Sequence, residues 1–139
     1  MRREEIGEYI LNILPMFHRK LFKGVFKKES MRHIQLVSMV NKNDGKPMKF
    51  YCKNLMISKP NLSKMVNKAI EEGLIEREND EKDRRIIKLF ITEKGKEIIE
   101  IRKQDIKKAI SNNLKGLNDD DIIKLQKNFE EIQVIFDKL

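Results

Sequence analysis

Apolar residues recur every three or four positions along nearly all of this 139-residue chain, and the period falls to two only beyond Gly73. A helix returns to the same face every 3.6 residues and a strand every two, so the pattern predicts a mainly α protein with one small sheet. Leu74 and Ile75 open the exceptional segment. A polar stretch over residues 77–84, rich in both charges, comes next, and then Ile87, Leu89 and Ile91 alternate with Ile86, Lys88 and Phe90. Two short strands around a charged tip make a β-hairpin, although no Asn-Gly or Asp-Gly turn sets its register.

Caps and breakers delimit the helices. Ile6, Ile10, Ile13, Phe17 and Leu21 step along residues 4–24, where Pro15 removes a backbone donor and predicts a kink or restart with Asn12 as cap. A basic stretch, residues 23–28, reads as a connection. Ser30 is placed to cap a helix whose face holds Ile34, Val37 and Val40. Residues 41–47 read as a turn, followed by a short helix over 49–55. Ser58 is a strong cap with Pro60 in the first turn, Leu62, Met65, Val66, Ala69 and Ile70 form the apolar side, and Gly73 suits a left-handed ending. Thr92 caps a helix to about residue 114, with Gly95 in its first turn. Asn118, with Asp121 three residues on, caps the last helix, whose Ile122, Leu125, Phe129, Ile132, Phe136 and Leu139 follow the 3-4 spacing of a heptad seam.

Charge divides the chain. The formal net charge is +8, but residues 1–70 hold 15 Lys+Arg against 5 Asp+Glu, and residues 71–139 hold 15 against 17. A Lys-rich solvated surface would spread its excess evenly; a concentrated one suits a polyanionic partner.

The order helix, turn, helix, Gly, strand, charged tip, strand describes a winged helix-turn-helix. The second helix of such a pair can enter the DNA major groove with its N-terminal residues toward base edges. In the helix beginning Ser58-Lys59-Pro60-Asn61, the exposed side carries Lys59, Asn61, Ser63, Lys64, Asn67 and Lys68: short hydrogen-bonding groups for bases and long cations for phosphates. At the hairpin tip, Arg85 suits a narrow minor groove, and Asp83, two residues away, is placed to fix its guanidinium.

Ile57-Ser58, Leu62-Ser63-Lys64, Gly73-Leu74-Ile75, Arg77, Asp83-Arg84-Arg85 and Ile91-Thr92-Glu93-Lys94-Gly95 together resemble the MarR family of multiple antibiotic resistance regulators. That family has a Ser/Thr-rich recognition helix, a Gly-Leu-Val-like exit, an Asp-x-Arg wing and a Leu-Thr-x-x-Gly start to the next helix. This chain departs from the pattern at Met56, where the family often has Gly, and at Ala69, where it has a large apolar residue.

The resemblance implies a winged helix-turn-helix over residues 30–95, flanked by N- and C-terminal dimerisation helices, 1–29 and 96–139. It implies a homodimeric DNA-binding repressor and, in many members, an anionic or phenolic small-molecule effector. The expected DNA contacts are Ser58, Lys59, Asn61, Ser63, Lys64, Asn67, Lys68, Asp83, Arg84 and Arg85. Expected at the dimer interface are Ile6, Ile10, Phe17, Leu21, Ile122, Leu125, Phe129, Ile132, Phe136 and Leu139. The alternative function is a dimeric adaptor that binds protein and uses its Lys excess only for solubility.

Other features point to core and surface. A single cysteine, Cys52, excludes an intrachain disulfide, favours a reducing cytoplasm and reads as a small core residue rather than a sensor. His18 and His33 have no clustered ligands, so neither metal nor cofactor is expected. No nucleophile-base set or phosphate loop is discernible, which argues against an enzyme. The methionines read as core filler. No apolar run approaches the ~20 residues of a membrane span, and Glu4, Glu5, Glu8, Asn12 and Pro15 are foreign to a signal peptide.

Overall fold

The structure, a computed structural model, describes residues 2–25 and 31–139. Among them run α1 (Arg3–Leu21), α2 (Met31–Lys42), α3 (Met48–Leu55), α4 (Lys59–Glu71), β1 (Ile75–Asn79), β2 (Ile87–Ile91), α5 (Glu93–Asn113) and α6 (Asp119–Phe136). Ser30, the expected cap of α2, lies outside the described residues. The chain divides into two compact units, Met1–Lys23 with Lys108–Leu139, and Gly24–Lys107.

The second unit holds the core. Leu36, Val37 and Val40 of α2, Tyr51 of α3, Leu62, Val66 and Ala69 of α4, and Leu74, Ile75 and Leu89 of the hairpin are buried together. On α2 the inward face differs from the expected one: Leu36 is fully buried and Ile34 only partly. His33 shares that face, 7% exposed, with Nε2 bonded to the Glu72 carboxylate. Burial pushes the Tyr51 phenol above its ordinary pKa, so it stays protonated and donates to the Asn43 carbonyl.

β1 and β2 pair antiparallel, with Ile75 opposite Ile91 and Asn79 opposite Ile87. The turn expected over residues 41–47 does more than reverse the chain. Gly45 N–H donates to the Leu89 carbonyl (2.8 Å), Leu89 N–H donates to that of Lys46 (3.1 Å), and Pro47 bridges Lys88. β2 is therefore paired along both edges.

α4 ends as its glycine requires. Gly73 has φ +74°, and Leu74 N–H reaches back to the Ala69 carbonyl at 2.9 Å, closing a left-handed cap. Thr92 accepts Gly95 N–H at 2.9 Å at the start of α5, and its hydroxyl donates to the Gly73 carbonyl at 2.7 Å. A Cβ on Gly95 would lie 2.2 Å from the Leu74 carbonyl oxygen, so α5 meets the root of the hairpin closer than any side chain permits.

The first unit departs from two expectations. α1 runs through Pro15 without restarting, so Asn12 is mid-helix rather than a cap. The proline forfeits one backbone bond, and the apolar row on both sides keeps the helix in one piece. α6 ends at Phe136, so Leu139, 98% exposed, follows the helix rather than extending its heptad row. Asn118 caps α6 by accepting Asp121 N–H at 2.9 Å, and Asn113 donates to the Leu21 carbonyl (2.9 Å) where α1 ends. No residue of α1 or α6 is buried.

Candidate nucleic-acid interface

α3 and α4 are joined by Met56, Ile57 and Ser58 alone. Met56 takes the left-handed conformation, φ 54°, and is 90% exposed. A side chain with a Cβ is unsuited to that backbone, which glycine adopts without strain. Ser58 Oγ then accepts Asn61 N–H at 3.4 Å and starts α4, with Pro60 in the first turn.

Leu62, Val66 and Ala69 turn into the core, and Ser58, Lys59, Asn61, Lys64, Asn67 and Lys68 are exposed; Ser63 is half-buried at the edge of that face. No acidic residue occurs in the first turn, and the helix ends on Glu71 followed by Glu72. Lys59 at the N-terminus and Glu71 at the C-terminus oppose the helix macrodipole, whereas Lys68 in the last turn favours it, each effect worth about 0.3–1 kcal/mol. This placement adds nothing to the stability of α4 and leaves lysines exposed along it.

The hairpin tip is ordered by carboxylates. Asp83 holds Arg85 bidentately, Oδ1 to Nε at 3.1 Å and Oδ2 to Nη2 at 3.2 Å, and also accepts Arg85 N–H at 3.1 Å. These bonds hold the Asp83 carboxyl below its usual pKa, the guanidinium contributing most. Arg85 is nonetheless 91% exposed, a cation fixed in direction and open to solvent. Arg84 is exposed and unlike Arg85 in its fixation: its carbonyl accepts from Asn79 Nδ2. Sequence reasoning missed Asp80, whose carboxylate accepts Lys82 and Asp83 N–H and pairs with Lys88 Nζ at 2.8 Å. Its signal was an Asp three residues before another Asp in a tip, a pattern that also fits a solvated loop.

α4 and the hairpin belong to one compact unit, which brings all ten expected DNA-contact residues onto it. A groove of about 510 Å³ runs between the start of α3, Lys59 and the hairpin at Arg85, Ile86 and Ile87, with Cys52 in its wall and Lys49 among its lining residues. Of the expected interface residues, all on the first unit, Ile6, Ile122, Phe129, Ile132, Phe136 and Leu139 are exposed, and Ile10, Phe17, Leu21 and Leu125 half-buried. The seam also packs within the chain, since the rings of Phe17 and Phe129 lie 6.3 Å apart. Among the described residues no group of three or more His, Cys, Asp or Glu is placed to hold a metal ion, and no helix is long and apolar enough to cross a membrane.

Two helices joined by a three-residue turn, closed by a two-stranded hairpin with a cationic tip, define a winged helix-turn-helix protein. The model of the MarR family matches residues 30–86, and the chain carries the winged-helix fold of the solved structure of MarR, at a TM-score of 0.64 and 16% identity. No curated protein sequence matches it significantly. YusO from Bacillus subtilis superposes with a TM-score of 0.70 at 15% identity, over 96% of this chain and 98% of that one. FabT from Streptococcus pneumoniae, solved in complex with DNA, gives 0.57 at 23% identity over 99% of both chains. A mutant of MarR from E. coli, solved with operator DNA, gives 0.59 at 17% identity, over 92% of this chain and 93% of that one.

Proposed function

We propose that this chain is a homodimeric transcription regulator that represses by binding a palindromic DNA operator. The observation that carries the reading is the face of α4: Lys59, Asn61, Lys64, Asn67 and Lys68 exposed, with no acidic residue in the first turn. Asn side chains suit base edges and lysines suit phosphates. The exposed guanidinium of Arg85 suits the minor groove beside that contact. The structures of FabT solved with DNA and of a MarR mutant solved with operator DNA support the same reading.

In this reading residues 30–95 are the DNA module and residues 1–29 and 96–139 assemble the dimer. Apart from Met56, Ile86 and Ile101, every exposed large apolar side chain among the described residues lies in the first unit. Soluble proteins rarely keep such a surface uncovered, and burying each side chain contributes about 1.5–3 kcal/mol before entropic costs. A second copy supplies the cover and places two recognition helices roughly 34 Å apart, one turn of DNA. The groove beside Arg85, apolar in part and rimmed by Lys49 and Lys59, supports release by an anionic or phenolic effector.

The test is selection of bound sequences from random duplexes, then titration of the selected duplex over a salt series. Enrichment of a palindrome whose affinity falls steeply with salt is the expected result. No enrichment, or affinity indifferent to salt, would leave the adaptor reading in its place.

A further inference from the structure

We propose that Asp80 is a positioning residue for the wing, one that orients Arg85 for DNA through Asp83. The proposal rests on the DNA-binding reading above.

Residues 80–86 form a closed tip. Asp80 N–H donates to the Ile86 carbonyl at 2.9 Å, and Ile86 N–H to that of Asp83 at 3.0 Å. Inside this closure one carboxylate takes three donors. Asp80 Oδ2 accepts Lys82 N–H at 3.2 Å and Asp83 N–H at 3.1 Å, and Oδ1 holds Lys88 Nζ at 2.8 Å. The side chain is 20% exposed, whereas neighbouring Glu81 and Lys82 stand out in solvent. Lys88, then the Asp83 amide, hold the Asp80 carboxyl below its usual pKa, so it stays ionised wherever DNA binding is measured.

The contacts form a chain. Lys88 sits in β2 opposite Glu78 on one edge and bridged to Pro47 on the other, so its backbone is held from both sides. Its ammonium fixes Asp80, Asp80 fixes the backbone of Asp83, and Asp83 clamps Arg85. An arginine ordered before binding need not lose its rotamer freedom when it meets DNA.

Charge alone demands the opposite of this role. A carboxylate near a polyanion repels it, so removing Asp80 should tighten binding if the residue were only a surface charge. Positioning demands that its removal weaken binding.

The experiment measures affinity of wild type, Asp80→Ala, Asp80→Asn, Arg85→Ala and the Asp80→Ala/Arg85→Ala double variant for the duplex selected by the wild type. Asp80→Ala is expected to weaken binding about threefold to tenfold, the cost of ordering one long side chain on contact. Asp80→Asn, which keeps an acceptor for the two amides but loses the ion pair, should recover part of that loss. In the Arg85→Ala background the Asp80 substitution should cost almost nothing, because its effect travels through Arg85. In the free protein, the Arg85 Nε–H resonance should be shifted and slow to exchange in wild type and averaged in Asp80→Ala, with melting temperatures confirming that each variant is folded. Binding by Asp80→Ala as tight as wild type or tighter, or an undiminished loss in the double variant, overturns the proposal while leaving the regulator reading intact. A wild type that selects no duplex removes the regulator reading itself.

Discussion

Replacing Gly95 by alanine sets two physical effects against each other. Alanine is the better helix former by up to about 1 kcal/mol, so propensity predicts stabilisation of the first turn of α5. Packing predicts the reverse. The added Cβ would lie 2.2 Å from the Leu74 carbonyl oxygen and 2.7 Å from Ile91 Cδ1, where real contacts essentially never fall below 3.0 Å. Ile91 can rotate; a backbone carbonyl cannot. Relief therefore requires α5 to back away from Leu74, whose carbonyl also accepts Thr92 N–H at 3.2 Å. Overpacking against rigid neighbours costs about 1–3 kcal/mol, and with backbone as the obstacle the upper end applies. Gly95→Ala should then lower the melting temperature by roughly 10 °C in a chain of this size, read by far-UV circular dichroism. A melting temperature equal to or above that of wild type would refute the close approach of α5 to the hairpin root.

Lys64→Ala should weaken binding to all duplexes alike and lower the slope of log affinity against log salt by about one unit, as for the loss of one phosphate contact; an unchanged slope places Lys64 away from DNA. Phe129→Asp or Ile132→Asp should yield monomer or aggregate and abolish operator binding, and sedimentation of wild type as a monomer at full affinity would count against the dimer. Met56→Gly should stabilise the protein by about 0.5–1 kcal/mol, the relief of a left-handed side chain less the entropy glycine adds to the unfolded chain; a loss of stability would mean that the exposed methionine has a packing role. Order in the hairpin tip should depend on pH in a definite sense. The Asp80 and Asp83 pKa values are depressed in the folded chain, so their contribution is present above the unfolded value of about 3.9 and is lost as pH falls through the lower folded values. Amide signals of residues 80–86 should therefore stay dispersed at pH 5 and collapse only in stronger acid, whereas collapse near neutrality would speak against the carboxylate clamps.

Signals carried within one turn of helix were legible in the residues alone. Ser58, Gly73, Thr92 and Asn118 mark real boundaries because a cap is a bond between neighbours three or four positions apart. The alternation at Ile87, Leu89 and Ile91 located the second strand, and Asp83 was recognisable as a partner for Arg85 because only two residues separate them. What depended on distant partners was not legible. The pairing of residues 45–47 with β2 joins backbone more than 40 positions apart, and no side-chain pattern records it. His33 looked like an isolated histidine until the end of α4 brought Glu72 to it, and Gly95 was placed only in a first helical turn until Leu74 came within reach of the missing Cβ. Asp80 acquires its meaning from Lys88 across the tip. In the same way the spacing of α6 showed an apolar row, but only folding decided that Phe129 meets Phe17, that much of the row stays exposed and that the helix stops before Leu139. Local propensity acts through steric and hydrogen-bond preferences of adjacent residues, whereas burial and pairing are settled when remote segments compete for the same neighbours.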